Sequence, residues 1–278
     1  FYAIYIFCKF FFIFILSPIQ HEYNSMYILA NYLQMSYSKF IIKFTLNKYD
    51  YNYIWVSGGL ILIKIDNLYF SYSNTPPYIL NGINFNIKKG DYVTIIGENG
   101  SGKSTFTKII LGLLKGYKGS LYINANHIAY VPQRLNNLDT NFPLTVFEML
   151  NVHRKTLKIK NKSIIDDMLS LVNMNSYKNS LISHLSGGQA QKIFIIRALM
   201  GNPDLLILDE PSTGIDIKSQ TEIYQLIKTL NKEQHITVIS VEHNLKATKE
   251  NSSKIYQIQN GKGRFLNLDQ YTALSMED

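Results

Sequence analysis

Nine consecutive residues carry the densest chemistry in the chain. Gly97, Glu98, Asn99, Gly100, Ser101, Gly102, Lys103, Ser104 and Thr105 fit the spacing G-x-x-x-x-G-K-[ST] and follow an apolar run, Tyr92 to Ile96. Glycines let backbone N–H groups wrap a β-phosphate, Lys103 can reach β/γ-phosphate oxygens, and the Ser104 hydroxyl can ligate Mg²⁺. A helix opening near Lys103 would point its positive end at the same charge. A Gly-rich turn accounts for the glycines but not for a lysine followed by two hydroxyls.

A second charged site closes the run Leu205-Leu206-Ile207-Leu208, which ends in Asp209 and Glu210. A buried strand ending in acids delivers them to the carboxyl edge of its sheet, where open α/β sheets hold their ligands. Asp209 would then lie beside the phosphate loop and hold a Mg²⁺ shell, leaving Glu210 free to orient or deprotonate water. Either acid alone could merely cap the following loop. Together, after a phosphate loop, they point to a P-loop ATPase.

Elements able to position these groups are visible as short apolar runs alternating with helical periodicity. Strands are expected at Leu60 to Ile65, Ile83 to Ile87, Tyr92 to Ile96, Ile128 to Val131, Leu205 to Leu208 and Ile236 to Val241. Helical spacing marks Ile164, Ile165, Met168, Leu169 and Val172. Strands interleaved with helices argue for a mostly parallel α/β sheet, and the segment from about 134 to 185, with little strand pattern, reads as an inserted helical lobe.

Composition sets the bounds. With 278 residues, 46% hydrophobic and 17% charged, the bulk of the chain folds, as one large α/β domain or two domains. One cysteine, Cys8, excludes an internal disulfide framework and a thiolate zinc cluster. The 28 basic residues exceed the 20 acidic ones, giving +8, yet no run of lysines exceeds two, so nucleic acid binding is not expected. Residues 1–58 hold 18 of the 36 aromatics and one of the 16 glycines, which marks a boundary. Their opening apolar run of 16 residues, broken by Lys9, is short of the roughly 20 a spanning helix needs. It also lacks the basic region and cleavage site of a secretory signal. The expectation for 1–59 is an N-terminal extension, untranslated or disordered: Gly58-Gly59 can be encoded by a ribosome-binding sequence and Leu62 by a TTG start, the alternative being a genuine membrane-proximal extension. Residues 60–278 then form the nucleotide-binding domain.

Between the phosphate loop and the acidic strand lies Leu185-Ser186-Gly187-Gly188-Gln189, ahead of the helical pattern Ile193, Ile196, Leu199. Alone it could be a helix cap and turn. In this order, the chain from about 72 to 245 resembles the ATP-binding-cassette (ABC) family, whose signature motif is LSGGQ. The resemblance implies a RecA-like parallel core with an antiparallel β subdomain and an inserted helical subdomain. It implies that the signature binds ATP held by the other cassette of a dimer. Residue by residue, it carries over Tyr72 as the aromatic that stacks on adenine, with Phe70 as the alternative. Gln133 becomes the loop glutamine that completes the Mg²⁺ shell with Ser104 and Asp209. Asp216 would contact the opposite subunit, although it could simply N-cap a helix, and His243 would contact the γ-phosphate. Glu242 stands where a small hydroxyl residue is commoner and Asn244 replaces a common aspartate, departures that touch the local loop geometry.

One phosphate loop and one signature make one cassette, so a composite site requires a dimer, most simply a homodimer. No spanning segment follows residue 60, so a transport role requires docking, through the lobe after Gln133, on a separate integral membrane permease. The chain would then sit peripherally on the cytoplasmic face of the membrane and be served by an extracytoplasmic substrate-binding protein. The stretches Tyr130 to Arg134, Asn141 to Glu148 and Gly214 to Gln220 look like the cassette subunit of zinc and manganese importers. Cargo would pass through the permease, and the six dispersed histidines have no zinc-ligand spacing. Rival readings are a siderophore or vitamin/cobalt importer and a soluble non-transport ABC ATPase. Translation factors of that class ordinarily carry two cassettes, and DNA-repair relatives a long coiled coil, neither of which is present.

Overall fold

The computed structural model describes residues 39–46, 49–56, 59–133, 143–243, 245–267 and 270–271. Two units separate between Gly58 and Gly59. In the first, β1 (Lys39–Leu46) and β2 (Tyr49–Val56) form an antiparallel hairpin with Lys39 opposite Val56 and Leu46 opposite Tyr49. Residues 1–38, on which most of the expectation for 1–59 falls, lie outside the described residues.

The second unit opens with β3 (Gly59–Phe70), paired antiparallel to β4 (Leu80–Lys88) and on its other side to β6 (Lys118–Ile123). In β4 buried and exposed positions alternate around Ile83, Phe85 and Ile87, so one face packs inward and one faces water. A second sheet of six strands runs in the order β11, β10, β5, β9, β8, β7. Its members are β5 (Tyr92–Ile96), β7 (Ile128–Val131), β8 (Leu205–Asp209), β9 (Thr237–Val241), β10 (Lys254–Gln259) and β11 (Lys262–Leu266). The five strands from β10 to β7 are parallel and β11 closes one edge antiparallel.

The apolar run Leu205 to Leu208 of β8 follows from burial on both faces, and all five residues of β8 and of β9, Thr237 and Ser240 included, are buried. Leu205 and Ile207 pack with β3, β4 and the helix α1 (Lys103–Ile110), while Leu206 and Leu208 face the opposite core. That second core is lined by α4 (Gly187–Leu199) and α5 (Ile217–Glu233). It continues into the lobe, where α2 (Val146–Thr156) and α3 (Ile164–Leu171) bury Val146, Leu150, Ile165 and Leu169. A short helix, α6 (Leu245–Asn251), links β9 to β10. The parallel core, antiparallel subdomain and helical insertion expected from the sequence are therefore present, with β1, β2, β6, β10 and β11 added to the strands read from it. Among the described residues no helix is long and apolar enough to cross a membrane.

Candidate functional site

The phosphate loop joins β5 to α1 and is shaped by glycines that no other residue could replace without strain. Gly97 has φ 151, and a Cβ there would sit 2.1 Å from the carbonyl oxygen of Ile258. Gly102, the residue before α1, is left-handed at φ 104, and its Cβ would come within 2.8 Å of Leu80. No side chain caps α1 and no acid occupies its first turn, so its N–H groups remain available to an anion. Ser101 Oγ is buried with no hydrogen-bond partner among the described residues, an oxygen that an incoming phosphate group would satisfy. Lys103 is buried, and its Nζ donates to the carbonyls of Gly97 at 2.7 Å and Glu98 at 2.8 Å. Burial lowers its pKa, against which the carboxylates of Glu210 and Asp209 act to raise it. Ser104 is exposed on the first turn, while Thr105 is turned inward.

Asp209 ends β8 and Val241 pairs with it at the end of β9, so the two following residues at each strand emerge at one sheet edge. Asp209 is buried, accepts a hydrogen bond from the Tyr130 hydroxyl at 3.2 Å, and has its pKa raised chiefly by burial. Burial, and after it the Asp209 charge and hydrogen bond, push the Tyr130 phenol up to about 12.

Glu210 adopts a left-handed conformation, φ 49, with its N–H bonded to the carbonyl of Val241. That turn aims its carboxylate at three partners. Nε2 of Gln133, from the end of β7, donates to Oε2, Thr213 Oγ1 donates to the same oxygen at 3.0 Å, and His243 Nε2 lies 3.0 Å from Oε1. The sheet thus gathers Gln133, Asp209, Glu210 and His243 beside the lysine of the phosphate loop. Neither Tyr130, which opens one of the importer-like stretches, nor Thr213 is read as a site residue from the sequence. Their signal was positional: one phenol three residues before the glutamine, one hydroxyl three after the acid.

Tyr72 is 62% exposed, its ring edge-on to Phe70 with centroids 5.2 Å apart and its hydroxyl 3.4 Å from Thr105 Oγ1. Phe70 is buried in the core, so of the two aromatics Tyr72 is the one with a free face beside the loop.

The signature residues lie at the start of α4. Ser186 is the N-cap: its hydroxyl accepts from the Gln189 N–H, and the Gln189 side chain accepts from the Ser186 N–H, a capping box. Gly187 and Gly188 pack so closely on the next helix that a Cβ on Gly188 would lie 2.3 Å from Ser219 Oγ. Asp216 caps α5 by accepting from the Ser219 N–H at 2.9 Å. The signature and Asp216 are therefore one packed unit, and the structure does not bring them into contact with the phosphate loop of the same chain. Of the stretches singled out earlier, Arg134, Asn141, Phe142 and Asn244 lie outside the described residues.

Known proteins agree with this geometry. Residues 80–213 match the ABC transporter family. A metal transport system ATP-binding protein of Treponema pallidum (strain Nichols) is 44% identical over 212 residues, covering 76% of this chain and 88% of that protein. The high-affinity zinc uptake system ATP-binding protein ZnuC of Bacillus subtilis (strain 168) is 34% identical over 214 residues, covering 72% and 92%. Among solved structures, an inward-facing metal-chelate type ABC transporter superposes with a TM-score of 0.69 at 26% identity, over 78% of this chain and 89% of that one. The cassette MJ0796, a dimer in a post-hydrolysis state with ADP and Pi, gives 0.62 at 29%, over 74% and 99%. With phosphate loop, acidic strand end and signature in this order and this arrangement, the chain belongs to the ABC transporter family, as one of its ATP-hydrolysing cassettes.

Proposed function

We propose that this chain energises uptake of a divalent metal, zinc or manganese, through a separate membrane permease. The observation that carries the ATPase chemistry is the convergence of Gln133, Thr213 and His243 on Glu210, one strand away from the phosphate loop's lysine. In this reading Gly97 to Thr105 cradle the phosphates of ATP, Lys103 leaves its two carbonyls for the β/γ oxygens, and Tyr72 stacks on adenine. Glu210 accepts the proton of the attacking water, and His243 holds the carboxylate and the γ-phosphate in one plane of contact. Ser104, Gln133 and Asp209 offer a hydroxyl, an amide oxygen and a carboxylate, hard donors suited to Mg²⁺, which when bound neutralises charge on the β- and γ-oxygens.

Ser186, Gly187, Gly188, Gln189 and Asp216 would meet the nucleotide and the loop of a second copy, making a homodimer with two composite sites. The lobe after Gln133 would dock on the permease at the cytoplasmic face, and an extracytoplasmic binding protein would deliver the metal to that permease. The metal assignment is supported by the two relatives, a metal transport ATP-binding protein in Treponema and a zinc uptake one in Bacillus. A metal-chelate cargo is the second reading, supported by the superposed metal-chelate type transporter. The test is the elemental content of cells lacking the gene, grown under metal limitation, against the parent and a Lys103→Ala complement. A selective fall in zinc or manganese that the Lys103→Ala copy does not repair is expected; unchanged metals would refute the cargo.

A further inference from the structure

Among the described residues two acids are buried, Asp209 and Glu242; Glu242, at 3% exposure, has no part in the hydrolytic roles assigned above. Its surroundings are hydroxyls. Ser240 Oγ, two residues back on β9, donates to Oε1 at 2.6 Å, and the Tyr224 hydroxyl from α5 donates to Oε2 at 2.9 Å. With its proton committed to the carboxylate, the Tyr224 oxygen accepts from Ser212 Oγ, 2.7 Å away. Gln220 fixes the Ser212 backbone by donating to its carbonyl at 3.2 Å.

These contacts close a ring through the chain. Ser212 lies two residues after Glu210, Glu242 lies one residue before His243, and His243 Nε2 stands 3.0 Å from Glu210 Oε1. The two loops that carry the hydrolytic pair are thus tied below the site by Ser212, Tyr224 and Glu242, and above it by His243 and Glu210. We infer that Glu242 is a positioning residue whose ionised side chain, through Tyr224 and Ser212, sets the spacing of Glu210 and His243 for ATP hydrolysis. This rests on the ATPase reading and adds a residue to it.

Ionisation is the state in which both Glu242 oxygens accept. A carboxylate accepts from both Ser240 and Tyr224; a carboxylic acid turns its own proton onto one of those oxygens, and where that oxygen is the Tyr224 hydroxyl, the phenol's proton turns to Ser212 and the chain reverses. The groups that face it are Ser240 on β9, Tyr224 on α5, Tyr92 on β5, Glu210 after β8 and Tyr271, and burial raises the pKa of each of these phenols. Burial lifts Glu242 to about 7, opposed by the Ser240 and Tyr224 hydrogen bonds and reinforced by the Glu210 charge. The ring therefore switches between its two hydrogen-bond patterns close to neutral pH.

The experiment measures steady-state Mg-ATP hydrolysis by the full chain between pH 6 and 8.5, for the wild type, Glu242→Gln, Tyr224→Phe and the double variant. Wild-type kcat is expected to fall roughly tenfold as pH drops through the Glu242 transition. Each single variant should lower kcat about tenfold at pH 8.5 with KM within about twofold, and the double variant should be no worse than either, because they break one chain. Glu242→Gln should lose the acid limb. Tyr224→Phe, which removes a hydrogen bond that favours the ionised form, should move that limb to higher pH. If Glu242→Gln does not fold, the displaced limb of Tyr224→Phe decides. An active wild type with variants that match it in kcat and pH profile would overturn the inference alone. A wild type that does not turn over ATP would overturn the ATPase reading and the inference with it.

Discussion

Substituting Gly188 by alanine tests whether the signature and Asp216 form one rigid unit. The new Cβ would lie 2.3 Å from Ser219 Oγ and 2.4 Å from Ser219 Cβ, so the conflict involves a β-carbon that no rotamer change can move. Either α4 or the first turn of α5 must shift by about an ångström, and overpacking of this kind costs about 1–3 kcal/mol. For a domain of this size that is a fall of roughly 3–10 °C in Tm. The phosphate loop of the same chain is untouched, so ATP affinity should stay within about twofold while turnover falls with the displaced Asp216. Ser219→Gly removes both atoms in conflict and by itself costs about 1 kcal/mol for glycine in a helix. The double variant Gly188→Ala/Ser219→Gly should thus recover most of the lost Tm, a favourable coupling of at least 1 kcal/mol in a double-mutant cycle read by thermal melting. Additive losses would show that the two helices do not bear on each other as described.

Three further outcomes are expected. Lys103→Ala should weaken nucleotide binding about 10- to 100-fold by equilibrium titration, as expected for loss of a charged hydrogen-bond donor. Glu210→Gln should leave nucleotide binding within about threefold and reduce turnover by 10²–10⁴-fold; a variant with unchanged hydrolysis would remove Glu210 from the role of base. Glu242 should also leave a mark on stability. Its folded pKa of about 7 lies above the ordinary 4.5, so its contribution is fully present below pH 4.5 and is lost as pH rises through 7. That difference of about 2.5 units is worth on the order of 3 kcal/mol. Between pH 5 and 8.5 the wild type should lose several degrees of Tm that Glu242→Gln does not lose, and parallel curves would contradict the burial argument.

The parts legible in the sequence were those whose chemistry is local. The phosphate loop is contiguous, the acids follow directly on four apolar residues, and the signature opens its own helix, so spacing alone placed them on their elements. Residues joined across the fold were not. Glu242 stood out only as an odd neighbour of His243, because its partners Tyr224 and Ser212 lie on a helix and a loop that spacing does not connect to it. Strand β10 was missed for a similar reason. Lysine and glutamine interrupt its apolar pattern, and its place beside β5 is set by pairing with residues some 160 positions earlier. For Asp216 both sequence readings remain in force: the structure shows the helix cap, and its second role needs another copy of the chain.

The order of strands in the parallel sheet divides the site mechanically. Glu210 and His243 hang from β8 and β9, neighbours in the sheet interior whose register is fixed on both sides. Gln133 hangs from β7, the outermost strand, held by a neighbour on one side only. A pull on Gln133 would therefore act on a strand paired on one side, whereas Glu210 and His243 hang from strands paired on both. The sheet thus holds one side of the site between two neighbours and the other side at its margin.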